Sequence, residues 1–412
     1  MNTAPFRNPP TVLREMKAFR AKRRHKLSTA NPRSADWRNR DKPKSLMPTK
    51  PRVAFLSEAI RRDIQTSFRF FKKLDVRHFY LRAPYGDFDP RKFATCEHVP
   101  TIKGLWAALD RFQPDAIQGP EPYASRTALR MAFFTHAYAR RNNIPYFFPS
   151  IENRPVQKRF GPLIGGLMAR IMHWYARDAR VVLWGNSGAR RNFLEAGVPE
   201  GKLQEFLRSV WGVDPVIFFP DEKERAKEPT IVFIGRLDEE KGIQDFLDAI
   251  PLVAGSVANV RFEMIGRGVL EEDVKRFVVE HGYQNIIRLR GVLKDAALTR
   301  AFQRAWVVAT PSRTTKRWEE QIGMVNLQAM ATKTPVVSTK SGAIPEYVIH
   351  KKSGLLVTER DSGALALSLV SLTTNRRLWH TISEGGYARV RSLYLAPGVI
   401  RELEQLIISK VL

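Results

Sequence analysis

Glu320, Gly323 and Gln328 lie in a stretch suited to holding a phosphate and neighbouring hydroxyls: Trp318-Glu319-Glu320-Gln321-Ile322-Gly323-Met324-Val325-Asn326-Leu327-Gln328-Ala329-Met330-Ala331. The apolar run Trp306 to Ser312 before it reads as a buried strand that ends in a Pro-Ser turn. After Gly323 come good helix formers, with Met324, Leu327 and Met330 at helical spacing. A strand therefore leads through an acidic loop into a helix. The unpaired N–H groups and positive dipole end of such a helix suit a phosphate. Gly323, flanked by Ile322, Met324 and Val325, lets a ligand approach the backbone. Glu320 and Gln328, eight residues apart, offer hydrogen-bonding groups to hydroxyls on either side of that phosphate. The plain alternative is a solvated acidic loop before an ordinary helix.

A second polar loop follows the apolar run Thr230 to Ile234: Gly235-Arg236-Leu237-Asp238-Glu239-Glu240-Lys241-Gly242. Arg236 and Lys241 place two cations in this loop that could meet an anion, although a single basic loop is more often plain surface. Two further strand patterns end in glycine, at Gly266 and Gly291, and make loops able to face a ligand. A third segment, Gly212-Val213-Asp214 followed by Phe218 and Pro220, precedes the charged run Asp221 to Glu228, where the two halves divide.

Together these segments resemble the retaining glycosyltransferases of family 4, which have the GT-B architecture. Glu320, Gly323 and Ala329-Met330-Ala331 match that family's donor signature, and Gly235-Arg236-Leu237 with Lys241-Gly242 match its phosphate loop. The likeness covers Gly212 to Val357 in ordered spacing, is weak over 51–210 and is absent over 1–50. It implies that Glu320 contacts the donor sugar. It also implies a ribose contact where the family has a second Glu and this chain has Gln328, which accepts a hydrogen bond without charge. The resemblance further implies retention at the anomeric carbon with no metal ligand set. The nucleotide-diphosphate sugar is then a substrate, and no cofactor is expected.

Alternating strands and helices before residue 210 argue for a parallel, doubly wound sheet, which binds ligands beyond the carboxyl ends of its strands. Two of those ends are polar. One holds Glu121; the other holds Glu152, Asn153 and Arg154, with Lys158 just beyond. These are the acceptor-side candidates. Glu152 reads as a hydrogen bonder or base, or equally as a loop carboxylate paired with Arg154 or Lys158. The expected architecture is α/β, two Rossmann-like domains facing across a cleft. A basic extension occupies 1–50, an acceptor domain 51–220, a donor domain 221–394, and a helix at 395–412 returns to the first domain.

The 412 residues suffice for two cores, and 43% hydrophobic with 26% charged residues is ordinary for a globular protein. The net charge of +27 is not. Residues 1–200 hold 38 Lys and Arg against 16 Asp and Glu, a net of +22, so an anionic partner is expected on that side. A membrane surface is the first candidate, met through a basic helix at Thr11 to Lys26 or through Phe160 to Ile164. A lipid-linked or glycan acceptor in envelope polysaccharide synthesis fits the same charge. The single Cys96 excludes an internal disulfide, and no apolar run is long enough for a membrane span. No secretory signal is expected, which places the chain in the cytoplasm, at the inner face of the membrane. No Walker loop, paired cysteines or His-Glu-x-x-His pattern occurs. A specific nucleic-acid reader has only charge in its favour. A weakened nucleotide-sugar-binding protein and a nucleotide-sugar epimerase remain as alternatives.

Overall fold

The short apolar runs build two wholly parallel sheets. The first contains β1 (Arg52–Ser57), β2 (Asp75–Tyr80), β3 (Cys96–His98), β4 (Ala116–Gln118), β5 (Tyr146–Ser150), β6 (Val182–Trp184) and β7 (Leu203–Glu205), in the order β3-β2-β1-β4-β5-β6-β7. The second contains β8 (Thr230–Ile234), β9 (Arg261–Ile265), β10 (Ile287–Gly291), β11 (Val307–Thr310), β12 (Val336–Thr339) and β13 (Leu355–Val357), in the order β10-β9-β8-β11-β12-β13. Each is a Rossmann-like order, reversing direction between its first and fourth strands. This computed structural model describes residues 50–82, 89–206 and 211–412. The basic helix expected at Thr11 to Lys26 lies outside them.

Strand alternation divides each domain into two apolar layers. In β1, Ala54 and Leu56 face the helices Ile102–Phe112, Arg126–Asn142 and Pro162–Asp178, while Val53 and Phe55 face the other side. In β8, Ile231 and Phe233 meet the helices Ile243–Ser256 and Ser362–Thr374, while Val232 and Ile234 meet Met324–Ala331. Each such buried side chain contributes roughly 1.5–3 kcal/mol of hydrophobic stabilisation.

Val399, Ile400, Leu403 and Ile407 of the C-terminal helical segment join the layer beneath Val53 and Phe55 in the first domain. Glu404, 3% exposed, fixes that return. Its Oε1 accepts from the backbone N–H groups of Lys72, Lys73 and Leu74 at 2.8, 2.6 and 3.1 Å. The two chain crossings between domains lie side by side, because the Val213 N–H donates to Tyr394 O at 2.7 Å and the Ala396 N–H to Val213 O at 2.9 Å.

Two elements differ from the pattern reading. Ile60 to Leu74 reads as one helix but forms only Arg62–Ser67 and a 3₁₀ turn, Phe68–Phe70. The tighter turn delivers Phe68 edge-on to Phe55, with centroids 5.1 Å apart. The long segment from Gln157 to Arg177 is two helices, Val156–Phe160 and Pro162–Asp178, broken where Pro162 offers no N–H to continue the first.

Candidate active site

The carboxyl ends of the two sheets open onto one cleft of about 530 Å³. Its lining includes Ser57 and Glu58 at the end of β1, Gln118 to Glu121 at the end of β4, Gly235 after β8, and Thr310 and Ser312 at and just beyond the end of β11. Those are the points where each strand order reverses, where open parallel sheets leave a crevice. Glu320, Gln321, Ile322, Gly323, Met324, Val325 and Asn326 complete the wall on the second domain. A larger groove, about 820 Å³, lies at the opposite strand ends beside Arg261 and Arg288, and none of the candidate residues lines it.

Lys241 and Glu320, 79 residues apart, meet in the cleft. Lys241 Nζ donates to Glu320 Oε2 at 2.6 Å, and Ser312 Oγ donates to the same oxygen at 3.2 Å. The ammonium also lies 4.3 Å from the centroid of the Trp318 ring. Both members are largely shielded, with side chains 23% and 15% exposed. Lys241 is held there by a local cap, since Asp238 Oδ1 accepts from the Lys241 N–H at 3.0 Å. Gly323 is the N-cap of Met324–Ala331 and has φ +71°, a left-handed conformation that other residues adopt only with strain. It turns the loop so that Gly323, Met324 and Val325, at the start of the helix, line the cleft together with Lys241 and Glu320.

Other donor-side candidates sit further out. Arg236 is turned to its own loop, with NH1 2.9 Å from Asp238 Oδ2 and NH2 2.6 Å from Glu240 Oε2, and it does not line the cleft. Gln328 is half-buried on the helix and is also absent from the lining. Gly266 and Gly291 stack behind Gly235 through backbone bonds: the Gly235 N–H donates to Ile265 O at 3.0 Å and the Gly266 N–H to Gly291 O at 2.8 Å. Only Gly235 of the three lines the cleft.

On the first domain, Glu121 alone of the acceptor-side candidates lines the cleft. Its Oε1 accepts from Ser150 Oγ at 2.5 Å and from the N–H groups of Ile151 and Glu152 at 3.1 and 3.2 Å. Burial outweighs these bonds and pushes its carboxyl above the usual range. Glu152 takes the ion-paired arrangement of the two readings and does not line the cleft. It is 2% exposed and paired with Arg154 Nε at 3.0 Å and with Arg159. Burial alone would raise its carboxyl, but the Arg154 and Arg159 guanidiniums win and hold it below the usual range. The partner is Arg159 rather than Lys158, which is exposed away from the cleft. Asn153 and Arg154 reach across to the second domain instead of facing an acceptor. Asn153 Nδ2 donates to Glu320 O at 2.9 Å, and Arg154 NH1 donates to Arg317 O.

The sequence reading missed Ser57, His78, Gln118 and Asn326, which the cleft includes. Asn326, two residues into the helix that Gly323 opens, had a positional signal. It accepts from Thr310 Oγ1 at 2.6 Å. His78 had none, being one polar residue inside a strand. Its Nε2 lies 2.8 Å from Ser57 Oγ and its Nδ1 3.2 Å from Gln65 Oε1. Burial pushes it down from 6.5 to about 3. The unfolded chain therefore takes up a proton below pH 6.5 that the native chain refuses, so stability falls as pH drops from 6.5 towards 3. His78→Gln removes that titration. Between pH 6.5 and 5 the parent is expected to lose on the order of 2 kcal/mol more than the variant, read from denaturant midpoints. Equal losses in both would contradict the assignment. Among the described residues, no group of three His, Cys, Asp or Glu side chains is placed to hold a metal ion.

The chain superposes on Anabaena Alr3699/HepE, solved in complex with UDP and glucose, with a TM-score of 0.68 over 87% of this chain and 100% of that one, at 16% identity. The fold is GT-B. Within it, residues 228–375 match the family model described as glycosyl transferases group 1. That span holds the Lys241 loop, Glu320 and the helix Met324–Ala331. Over 207 residues the chain is 30% identical to a GDP-mannose-dependent alpha-(1-6)-phosphatidylinositol monomannoside mannosyltransferase of Mycobacterium tuberculosis, covering 48% of this chain and 53% of that protein. It is 29% identical over 164 residues to the amylovoran biosynthesis glycosyltransferase AmsK of Erwinia amylovora, covering 39% and 40%. The chain spans about half the length of the curated relatives it matches.

Proposed function

We propose that this GT-B chain is a retaining glycosyltransferase of family 4, moving a hexose from a nucleotide-diphosphate sugar to a glycan or lipid-linked acceptor in envelope polysaccharide synthesis. The observation that carries the reading is the Lys241–Glu320 contact of 2.6 Å beside the start of Met324–Ala331, in a cleft walled by both domains. A cation, a carboxylate and open helix N–H groups at one point match a sugar diphosphate, which carries anionic oxygens and hydroxyls together.

In this mechanism the diphosphate displaces Glu320 from Lys241, and the freed carboxylate accepts hydrogen bonds from the sugar hydroxyls. Arg236 turns from Asp238 and Glu240 to the same diphosphate. The bond from C1 to the diphosphate oxygen breaks as an acceptor hydroxyl adds to the same face of C1, and the hydroxyl proton leaves with the nucleoside diphosphate. Lys241, Arg236 and the helix dipole stabilise the charge that develops on the leaving oxygen. Gln328 is assigned to the ribose. Glu121, the cleft carboxylate of the first domain, is assigned to the acceptor hydroxyl. The basic first half lies against an anionic membrane at its cytoplasmic face, where Leu163, 89% exposed and close in sequence to Lys158, meets lipid.

A panel of nucleotide sugars tests the reading. The cognate donor at a hundred times its Kd stabilises the fold by about 2.7 kcal/mol, and with acceptor present the product keeps the donor's anomeric configuration by NMR. No stabilisation by any UDP- or GDP-hexose would sink it, and conversion of the donor sugar without acceptor would favour an epimerase.

A further inference from the structure

The loop bearing Glu320 is fastened by the opposite domain. Glu320 O accepts from the Ala343 N–H of its own domain at 2.9 Å and from Asn153 Nδ2 of the first domain, also at 2.9 Å. The next carbonyl, Gln321 O, accepts from Asn186 Nδ2 at 3.3 Å. Both amides are buried in the contact, Asn153 at 5% and Asn186 at 0% exposure.

Neither amide is a flexible surface group. The carbonyl of Asn153 accepts from Arg191 NH2 at 2.9 Å, and the carbonyls on either side of it, Glu152 O and Arg154 O, both accept from Asn192 Nδ2 at 2.9 Å. Asn186 Oδ1 caps the helix Ser187–Glu195 by accepting from the Ala189 N–H at 2.8 Å, and its Nδ2 donates to Ile151 O of its own domain at 2.6 Å as well as to Gln321 O. The approach is close: a Cβ on Gly342 would lie 2.1 Å from Glu320 O and 2.7 Å from Asn153 Nδ2. Asn153 Oδ1 is buried without a hydrogen-bond donor among the described residues. An unmet buried acceptor costs about 1–3 kcal/mol, so an apolar residue here would be less costly for stability alone. The amide is explained by what its Nδ2 holds.

We propose that Asn153, assisted by Asn186, is a positioning residue for Glu320: the first domain aims the donor-site carboxylate by holding its backbone, so the sugar is oriented only when the domains are closed. This rests on the glycosyltransferase reading above. The diphosphate site, built from Lys241 and the helix start, belongs to the second domain alone and does not depend on the amide. Nucleotide binding and sugar orientation therefore separate in the Asn153 variants.

The test compares Asn153→Asp and Asn153→Ala with the parent and with Ser187→Ala. Ser187 Oγ donates to Glu346 Oε1 at 2.6 Å, another bond between the domains that does not end on the Glu320 backbone. Both Asn153 variants are expected to lower kcat for transfer, and for hydrolysis of the donor by water, by the same roughly 10- to 100-fold factor. Their affinity for the nucleoside diphosphate alone stays within about twofold, while the extra affinity contributed by the sugar is lost. Ser187→Ala keeps parental kcat. Turnover within twofold of the parent in both Asn153 variants overturns the proposal. So does a parallel loss of nucleotide affinity, or an equal loss in Ser187→Ala, since either marks a merely structural contact. Absence of nucleotide-sugar binding by the parent would instead overturn the glycosyltransferase reading.

Discussion

Glu320→Ala is expected to lower transfer by about 10²- to 10³-fold while nucleoside diphosphate binding persists, and Lys241→Ala to lower both turnover and donor affinity. The asymmetry follows from their assigned partners. Glu320 addresses the sugar, and Lys241 the diphosphate from ground state through departure. In the structure they neutralise each other at 2.6 Å. Removing Glu320 leaves a shielded ammonium that still attracts an anion. Removing Lys241 leaves a shielded carboxylate that repels one. Glu320→Gln keeps the shape and loses the charge, so it separates hydrogen bonding from electrostatics. The double variant is expected to be less impaired than the product of the single losses, because the two side chains work as a unit. Arg236→Ala is expected to raise donor KM more than it lowers kcat, since Arg236 must first leave Asp238 and Glu240. Steady-state kinetics with calorimetric titration of nucleotide and nucleotide sugar reads all five variants. Full turnover in both Glu320→Ala and Lys241→Ala would remove the assignment.

The second domain was the legible half. Four of its six strands stop at glycine or proline, and its proposed phosphate loop and donor helix are contiguous segments in which each residue acts near its sequence neighbours. The first domain's share of the cleft comes from scattered positions, Ser57 and Gln118 at strand ends and His78 inside β2, which no contiguous motif joins. The edge strands Cys96–His98 and Leu203–Glu205 passed unnoticed because each has three residues and largely polar side chains. The bonds from Asn153, Arg154 and Asn186 end on backbone carbonyls, so the receiving residues carry no side-chain signal. The pairing of Glu152 turned on the helix beginning at Val156, which carries Arg159 inwards and Lys158 outwards. A one-residue choice of that kind needs the helix phase, which a five-residue element does not reveal.

Glu152→Ala is expected to cost about 3–5 kcal/mol of stability, because it leaves two guanidiniums without their shared carboxylate in a site 2% exposed. The pH dependence has a definite sign. The native carboxyl is held below its ordinary value, so its stabilising effect is complete above the ordinary carboxylate range and is lost as pH falls through the lowered value. Glu152→Gln, which cannot ionise, is expected to lose most of the stability at neutral pH and to show a shallower acid limb than the parent. Denaturant unfolding at pH 7 and pH 4 reads both effects. The same variants decide between the two roles open to this residue. A general base would make Glu152→Gln inactive at full stability. An anchor makes it less stable, with turnover retained in the folded fraction so long as Arg154 still reaches Arg317 O. The structure favours the anchor, because both carboxylate oxygens are already engaged: Oε1 by the Arg154 N–H and Nε, Oε2 by Arg154 NH2 and Arg159 NH1. A carboxylate so occupied has no lone pair directed at a substrate proton, and its effect on the reaction passes through the loop it stiffens, which carries Asn153 to the backbone of Glu320.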